Sequence, residues 1–295
     1  MRVLSIIEPF GTLIAKKVKF IETRGYKTSY RGELYIHASK TKMANTDKDL
    51  LELISQKELN YGLLVCKCKL VDCVYMTKEY VEKIQKEKPL EYRCGDYQVG
   101  RYAWILEDIL ELSNKIPIKG QLGIFDYYEE DKILEYMQDI EYGYMTNKKK
   151  LKRTFETMDE DYFLQSPKEV QKNKLGVCFD QVELERYLLK NACGKVDSWA
   201  IIYKSDNEVV SHTFLTYQKD NKNYWIENAW EKYKGKFVYQ SLKDLMTDVK
   251  NKFIKDQIKT EVDINYLKIY NYKKPKRGMS VTEFFKHIQS GELYE

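Results

Sequence analysis

The sequence predicts an α+β protein of two parts, a small β-barrel followed by a second α+β domain. Three observations predict it. At 295 residues the chain is about two domains long, taking roughly 150 residues per domain. Its first 126 residues hold many short β-rich runs and few helical ones. From Ser166 onward, helical periodicity comes first and a meander of strands follows.

In chain order, Val3–Ile7 is a short apolar strand. Pro9 suits the first turn of a helix, where its missing N–H costs nothing. Phe10, Leu13, Ile14 and Val18 then supply a helical apolar face. Gly32–His37 reads as a strand, and Tyr61–Met76 as a long β-rich run. Asp47–Ile54 and Thr77–Gln85 read as short helices. Arg101–Leu106 and Gln121–Phe125 close this part as strands, which makes 1–126 a small barrel. Residues 127–160 read as a helix and a charged linker, with the basic run Lys148–Arg153 as a solvated loop. The second domain is assigned to 161–295. Ser166-Pro167-Lys168-Glu169 is a capping box with proline at the first helical position. Cys178–Asn191 continues as a helix. Trp199–Tyr203, Val209–Tyr217 and Asn223–Glu227 are strands. Helices follow at Ser241–Phe253 and from Ser280, whose partner acid is Glu283.

Composition excludes several classes. Hydrophobic residues make up 43% and charged residues 32%, a balance that supports cores and argues against wholesale disorder. No apolar run approaches the roughly 20 residues of a membrane helix. The first ten residues lack the long apolar region and cleavage site of a signal peptide. A cytoplasmic protein with reduced thiols is therefore expected. Lys and Arg number 50 against 45 Asp and Glu. With a net charge of only +5, a nucleic-acid role has to rest on a local patch. The six cysteines form no CxxC pair and the three histidines are scattered, so the sequence predicts neither a metal nor a cofactor.

The sharpest chemical feature is Gly176-Val177-Cys178-Phe179-Asp180-Gln181. A glycine turn delivers a cysteine to a helix start, where unpaired N–H groups and the helix dipole favour thiolate. The competing reading is a small buried residue. His212 lies on a strand that can face that helix start, where imidazole and thiol form the ion pair that cysteine catalysis needs. A purely structural histidine is the alternative. On the next strand, Glu227 or Asn228 can orient the imidazole. The choice between them stays open.

GVCFDQVELERYLL, SHTFLTY and YWIENAW, in this order, resemble the transglutaminase-like branch of the papain-like cysteine enzymes. The resemblance covers about residues 130–275. It implies a papain/transglutaminase-like α+β domain with Cys178 as nucleophile and His212 as base. Glu227 stands where that family has Asp, and Asn228 competes with it. The resemblance also offers Gln165 as an oxyanion donor beside the Cys178 N–H. A peptide or amide is the implied substrate.

The first part resembles the ASCH domain, a relative of the PUA barrels. The residues that carry this are Ile6-Ile7-Glu8-Pro9-Phe10, Lys19-Phe20-Ile21-Glu22-Thr23-Arg24, Tyr30–Ala38, Gly100–Trp104 and Ile116–Gly120. The resemblance implies a PUA-like β-barrel that binds RNA, single-stranded nucleic acid or a nucleotide-like ligand. Lys19 and Arg24 are its candidate phosphate contacts, Glu22 a base-edge acceptor, and Arg31 and Arg101 further candidate ligand-binding residues. Tyr26, Tyr30 and Trp104 are candidate stacking residues. The plain alternative is that Glu22 and Arg24 form an internal ion pair and the aromatics are core. Some ASCH relatives are amidohydrolases on modified nucleosides, using Lys, Thr and Glu. Here Glu22, not Thr, follows Lys19 by three. The expected whole is a cysteine hydrolase or acyltransferase acting on an amide and guided by a nucleic-acid-binding domain. Its alternatives are a binding module with an unused cysteine and an enzyme whose catalysis sits in the ASCH cleft.

Overall fold

The computed structural model describes residues 1–42, 48–52, 54 and 58–294. The chain divides into two units, Met1–Tyr127 and Tyr128–Glu295, each mixed in helix and strand. Among the described residues, no helix is long and apolar enough to cross a membrane.

The first unit is built on β1 (Arg2–Glu8), α1 (Phe10–Ala15), β2 (Ile21–Arg24), β3 (Gly32–Lys42), α2 (Lys48–Glu52), β4 (Leu64–Tyr75), α3 (Lys78–Glu87), α4 (Pro89–Arg93), β5 (Tyr102–Glu111) and β6 (Ile124–Asp126). Its strands form one sheet in the order β2-β5-β4-β3-β1-β6. β1 and β3 run parallel and the other neighbours antiparallel. Alternate residues of the central strands, among them Leu34, Ile36, Cys66, Cys68 and Leu70, bury one face against Ile14 and Ala15 of α1. The small barrel anticipated from the strand count is not closed. β2 and β6 lie at opposite edges, and no ladder joins them among the described residues. Both are short, four and three residues. The helix expected over Asp47–Ile54 is seen as α2; Asp47 and Leu53 lie outside the described residues.

The second unit begins with a short 3-10 turn at Glu130–Lys132 and α5 (Ile133–Met137). β7 (Tyr144–Met145), β8 (Leu151–Lys152), α6 (Met158–Asp161) and α7 (Pro167–Asn173) lead to α8 (Cys178–Leu189). β9 (Lys195–Lys204), β10 (Val209–Lys219), β11 (Lys222–Glu227) and β12 (Gly235–Tyr239) precede α9 (Leu242–Gln257), β13 (Leu267–Tyr272), α10 (Val281–Gln289) and β14 (Glu292–Leu293). The sheet order is β12-β11-β10-β9-β13-β14, antiparallel throughout. One face packs on α8 and α10 through Val182, Leu184, Leu188, Phe284 and Ile288. The other packs on α9 through Leu245, Val249 and Phe253. With both faces covered, β10 reads as a continuous buried run and not an alternating one.

Residues 128–160 are part of this unit, not a linker. Ile133, Met137, Ile140 and Tyr144 are buried in its core; Ile133 and Met137 lie one turn apart on the same face of α5. The basic run Lys148–Arg153 forms the turn and return strand of the β7–β8 hairpin. Lys152 pairs with Asp161 and Arg153 with Glu141, while Lys148–Lys150 stay exposed. The capping boxes at Ser166/Glu169 and Ser280/Glu283 are present as the sequence indicates.

Candidate active site

The start of α8 is held from two sides. Asp180 accepts the backbone N–H of Val177 at 3.2 Å and that of Gln165 at 2.8 Å. Gly176 is required there, since a Cβ would come within 2.9 Å of the Asp180 Cβ. The segments before and after α7 are thereby both strapped to the first turn of α8. Cys178, the first residue of α8, sits at the positive end of the helix dipole. It is 4% exposed.

β10 and β11 pair Leu215 with Ile226, which brings Glu227 near His212. The imidazole Nε2 lies 2.7 Å from Glu227 Oε2. The other carboxylate oxygen accepts the Trp230 N–H at 2.7 Å. The Trp230 ring meets the imidazole edge to face at 5.1 Å. Both His212 and Glu227 are buried. Since Nε2 serves Glu227, Nδ1 is the nitrogen left for the hydrogen bond between His212 and the Cys178 side chain.

The electrostatics follow from this geometry. Burial by itself pushes the Cys178 thiol up, but hydrogen bonding to His212 and the imidazolium charge outweigh it and leave the thiol below its ordinary value. Burial lowers His212, yet the Glu227 carboxylate and the sulfur carry it up to about 10. Opposite shifts in two touching groups both favour the thiolate–imidazolium pair over the neutral thiol and imidazole. The other buried thiols behave differently. Burial pushes Cys68 and Cys193 up to about 12 and Cys66 higher still.

Asn228 is bonded elsewhere than to His212. Its amide nitrogen donates to Gln181 Oε1 at 2.6 Å, and Gln181 in turn donates to the Gly176 carbonyl. Gln165 is not placed as an oxyanion donor either. Its Nε2 donates to the Leu175 carbonyl at 2.8 Å and its Oε1 accepts from Asn173. Both residues brace the loop that carries Cys178.

Two residues near the sulfur carry no signal in the sequence. Tyr142 hydrogen-bonds through its hydroxyl to the Cys178 side chain and to the Cys178 backbone N–H. It lies in the segment read as linker and is one of 25 tyrosines. Glu185, two turns along α8, is buried with Oε2 unpartnered. Burial and the neighbouring Glu227 charge push its carboxyl well above the usual range.

In the first unit the expected ligand contacts are mostly internal. Lys19 is 1% exposed and donates to the Ile21 and Cys94 carbonyls, so it is closed to phosphate. Glu22 lies 3.6 Å from Lys19 and 3.0 Å from Arg24, an internal ion cluster. Trp104 is 0% exposed and cannot stack on a base. Its indole N–H donates to the Tyr26 carbonyl. Arg31 pairs with Asp72, and Arg101 with Asp96. Tyr26 is exposed, with its ring edge to face with Trp104 at 5.5 Å. Comparison with protein-family models finds no match to this chain, and comparison with curated proteins finds none either.

Proposed function

We propose that the second unit is a cysteine-nucleophile enzyme acting on an amide carbonyl, a hydrolase or acyltransferase of the papain/transglutaminase-like kind that its motifs resemble. One observation carries the reading. A cysteine at a helix start meets an imidazole whose far nitrogen is held 2.7 Å from a buried carboxylate. The thiolate adds to the carbonyl carbon, and the carbonyl π pair moves onto oxygen. The His212 imidazolium gives its Nδ1 proton to the departing amine nitrogen, the C–N bond breaks, and a thioester remains on Cys178. Water or a second amine, activated by the now neutral His212, resolves the thioester. Glu227 holds the ring and stabilises its charge. Hydrolysis is the favoured resolution, because acyl transfer has to exclude water.

The other thiols serve as internal controls for the test. The full chain is alkylated with iodoacetamide from about pH 4.5 to about pH 9, and each cysteine is followed by peptide mapping. Cys178 should react well below the ~8.5 of a free thiol, and His212→Ala should move its profile upward. Uniform reactivity across the six cysteines would sink the proposal.

For the first unit, the resemblance to the ASCH domain supports a PUA-like ligand-recognition role, with RNA, single-stranded nucleic acid or a nucleotide-like compound as ligand. What supports it on the surface is the exposed ring of Tyr26, propped edge to face by the buried Trp104. Binding of a single-stranded oligonucleotide should fall with added salt and with Tyr26→Ala. Binding indifferent to both would remove this role.

A further inference from the structure

We propose that Gln181 and Asn228 are positioning residues of the Cys178 site, an amide strut that fixes the nucleophile's turn against the strand end carrying Glu227. This rests on the reading of Cys178 as a nucleophile.

The direction of the strut is set by its ends. The Gly176 carbonyl can only accept, so Gln181 turns its amide nitrogen there, at 2.8 Å. Its Oε1 then faces Asn228, which answers with its own amide nitrogen at 2.6 Å. The same nitrogen reaches towards the Met137 carbonyl at 3.5 Å. Gln181 is 1% exposed and Asn228 4%. Neither bond competes with bulk water, and in such surroundings each holds its partners more firmly.

Every backbone N–H and carbonyl of Gly176 and Val177 is held. The Gly176 N–H donates to the Glu141 carbonyl at 3.0 Å, and the Val177 carbonyl accepts the Gln181 N–H at 2.9 Å. The Val177 N–H goes to Asp180 at 3.2 Å. These three bonds tie the turn to the segment at Glu141 and to the first turn of α8. The bond from the Gln181 side chain to the Gly176 carbonyl is the one that continues, through Asn228, to the end of β11. Asn228 follows Glu227 directly, and Glu227 is pinned to His212 and to Trp230 at 2.7 Å each. The strut therefore joins the turn that delivers the sulfur to the residue beside the acid, and sets Cys178 against the histidine–acid pair. Asn228 Oδ1 is buried and has no partner among the described residues. An apolar side chain would not carry that cost; what the carboxamide supplies here is its donor.

Two variants and their combination separate positioning from stability. Gln181→Met and Asn228→Leu each cut the strut and leave a buried amide of the other residue unpaired. The double variant removes both amides, and apolar side chains meet in their place. Replacing both partners costs less than replacing one, so Tm in the double variant should recover relative to the single variants. Cys178 should not recover. In the full chain at about pH 6, acylation of Cys178 by p-nitrophenyl acetate, followed by peptide mapping, should slow about tenfold in all three variants. The cause is that a thiol drawn away from its imidazolium returns towards ~8.5. The iodoacetamide profile of Cys178 should move upward as well. The losses should not multiply, because the two amides act as one unit. Acylation and profile unchanged in the double variant overturn the inference and leave the nucleophile in place. A rate that recovers in step with Tm overturns it too, and makes the pair a packing element. A wild-type Cys178 inert to both reagents overturns the nucleophile reading and this inference with it. Where a single variant fails to fold, the double variant decides.

Discussion

Each unit buries a small cluster of ionisable side chains, and the two clusters are built to opposite ends. In the first, Glu22 lies between two cations, Lys19 just before β2 and Arg24 at its end, and carbonyls take up further N–H groups of both. Lys19 donates to Ile21 and Cys94, and Arg24 to Ser5 at 2.9 Å. No reactive atom is left over. In the second, Glu227, His212 and Cys178 form a chain in which each group acts on the next and the last is a thiol held below its ordinary pKa. Burial of charge alone therefore does not mark a site. The mark is a set of donors and charges that converge on one atom with chemistry left to do.

The strongest way to break this comparison is to disable the orienting carboxylate. In Glu227→Gln the Trp230 N–H still needs an acceptor, so the amide oxygen goes to Trp230 and the amide nitrogen turns to His212. An N–H donor at Nε2 forces the imidazole proton onto Nδ1, facing the sulfur, where it cannot accept the thiol proton. Turnover should fall by about 10³–10⁴-fold, and the alkylation profile of Cys178 should shift upward. Unaltered pH dependence would remove Glu227 from the chain of action.

The counterpart in the first unit is Lys19→Met. It leaves two buried carbonyls unpaired and Glu22 with one cation, which should cost about 3–5 kcal/mol in urea unfolding. Cys178 alkylation in the folded protein should not change. A weaker alkylation signal would mean that the first cluster supports more than its own unit.

Glu185→Gln sharpens the electrostatics of the second unit. Glu185 is held protonated by burial, and Asp180 and Glu183 are each pushed up to about 7 by the same cause. A raised carboxyl binds its proton in the folded state after the unfolded chain has released it. Stability therefore declines as pH rises above the unfolded value of about 4. Each such group contributes up to about 1.4 kcal/mol per pH unit across its window. Glu185→Gln keeps the neutral shape and removes one proton from that slope. Tm at pH 8 should rise relative to pH 5, and an unchanged slope would count against a protonated Glu185. The smallest effect belongs to Arg31→Ala, which breaks a surface pair with Asp72. It should shift stability by no more than about 1 kcal/mol, within reach of a thermal melt.

The elements around the candidate site were legible because local rules write them. Ser166 and Glu169 mark the start of α7, and the glycine turn marks the start of α8 with Cys178 at its head. The order of cysteine, histidine and acid along the chain was equally plain. The choice between Glu227 and Asn228 was not. They are chain neighbours, and neighbouring side chains near a strand end point to different sides. One side leads to His212 and Trp230, the other to Gln181 and the loop under α8. Residues 128–160 were misread as linker because their charged surface residues mask the buried Ile133, Met137, Ile140 and Tyr144.

The sequence by itself determined many of the helices and strands, though not β2, α4, β7, β8, α6, β12, β13 or β14, and which residue types could do thiol chemistry. Periodicity, caps and turns act over a few residues, so one chain carries them in full. Tertiary structure decided which polar side chains face one another. It buried Lys19 and Trp104 out of reach, gave Gln165 a bracing role, set Glu227 against His212, and brought the Tyr142 hydroxyl to Cys178. Those outcomes depend on sheet register and on contacts between residues far apart in the chain, and no local pattern specifies either.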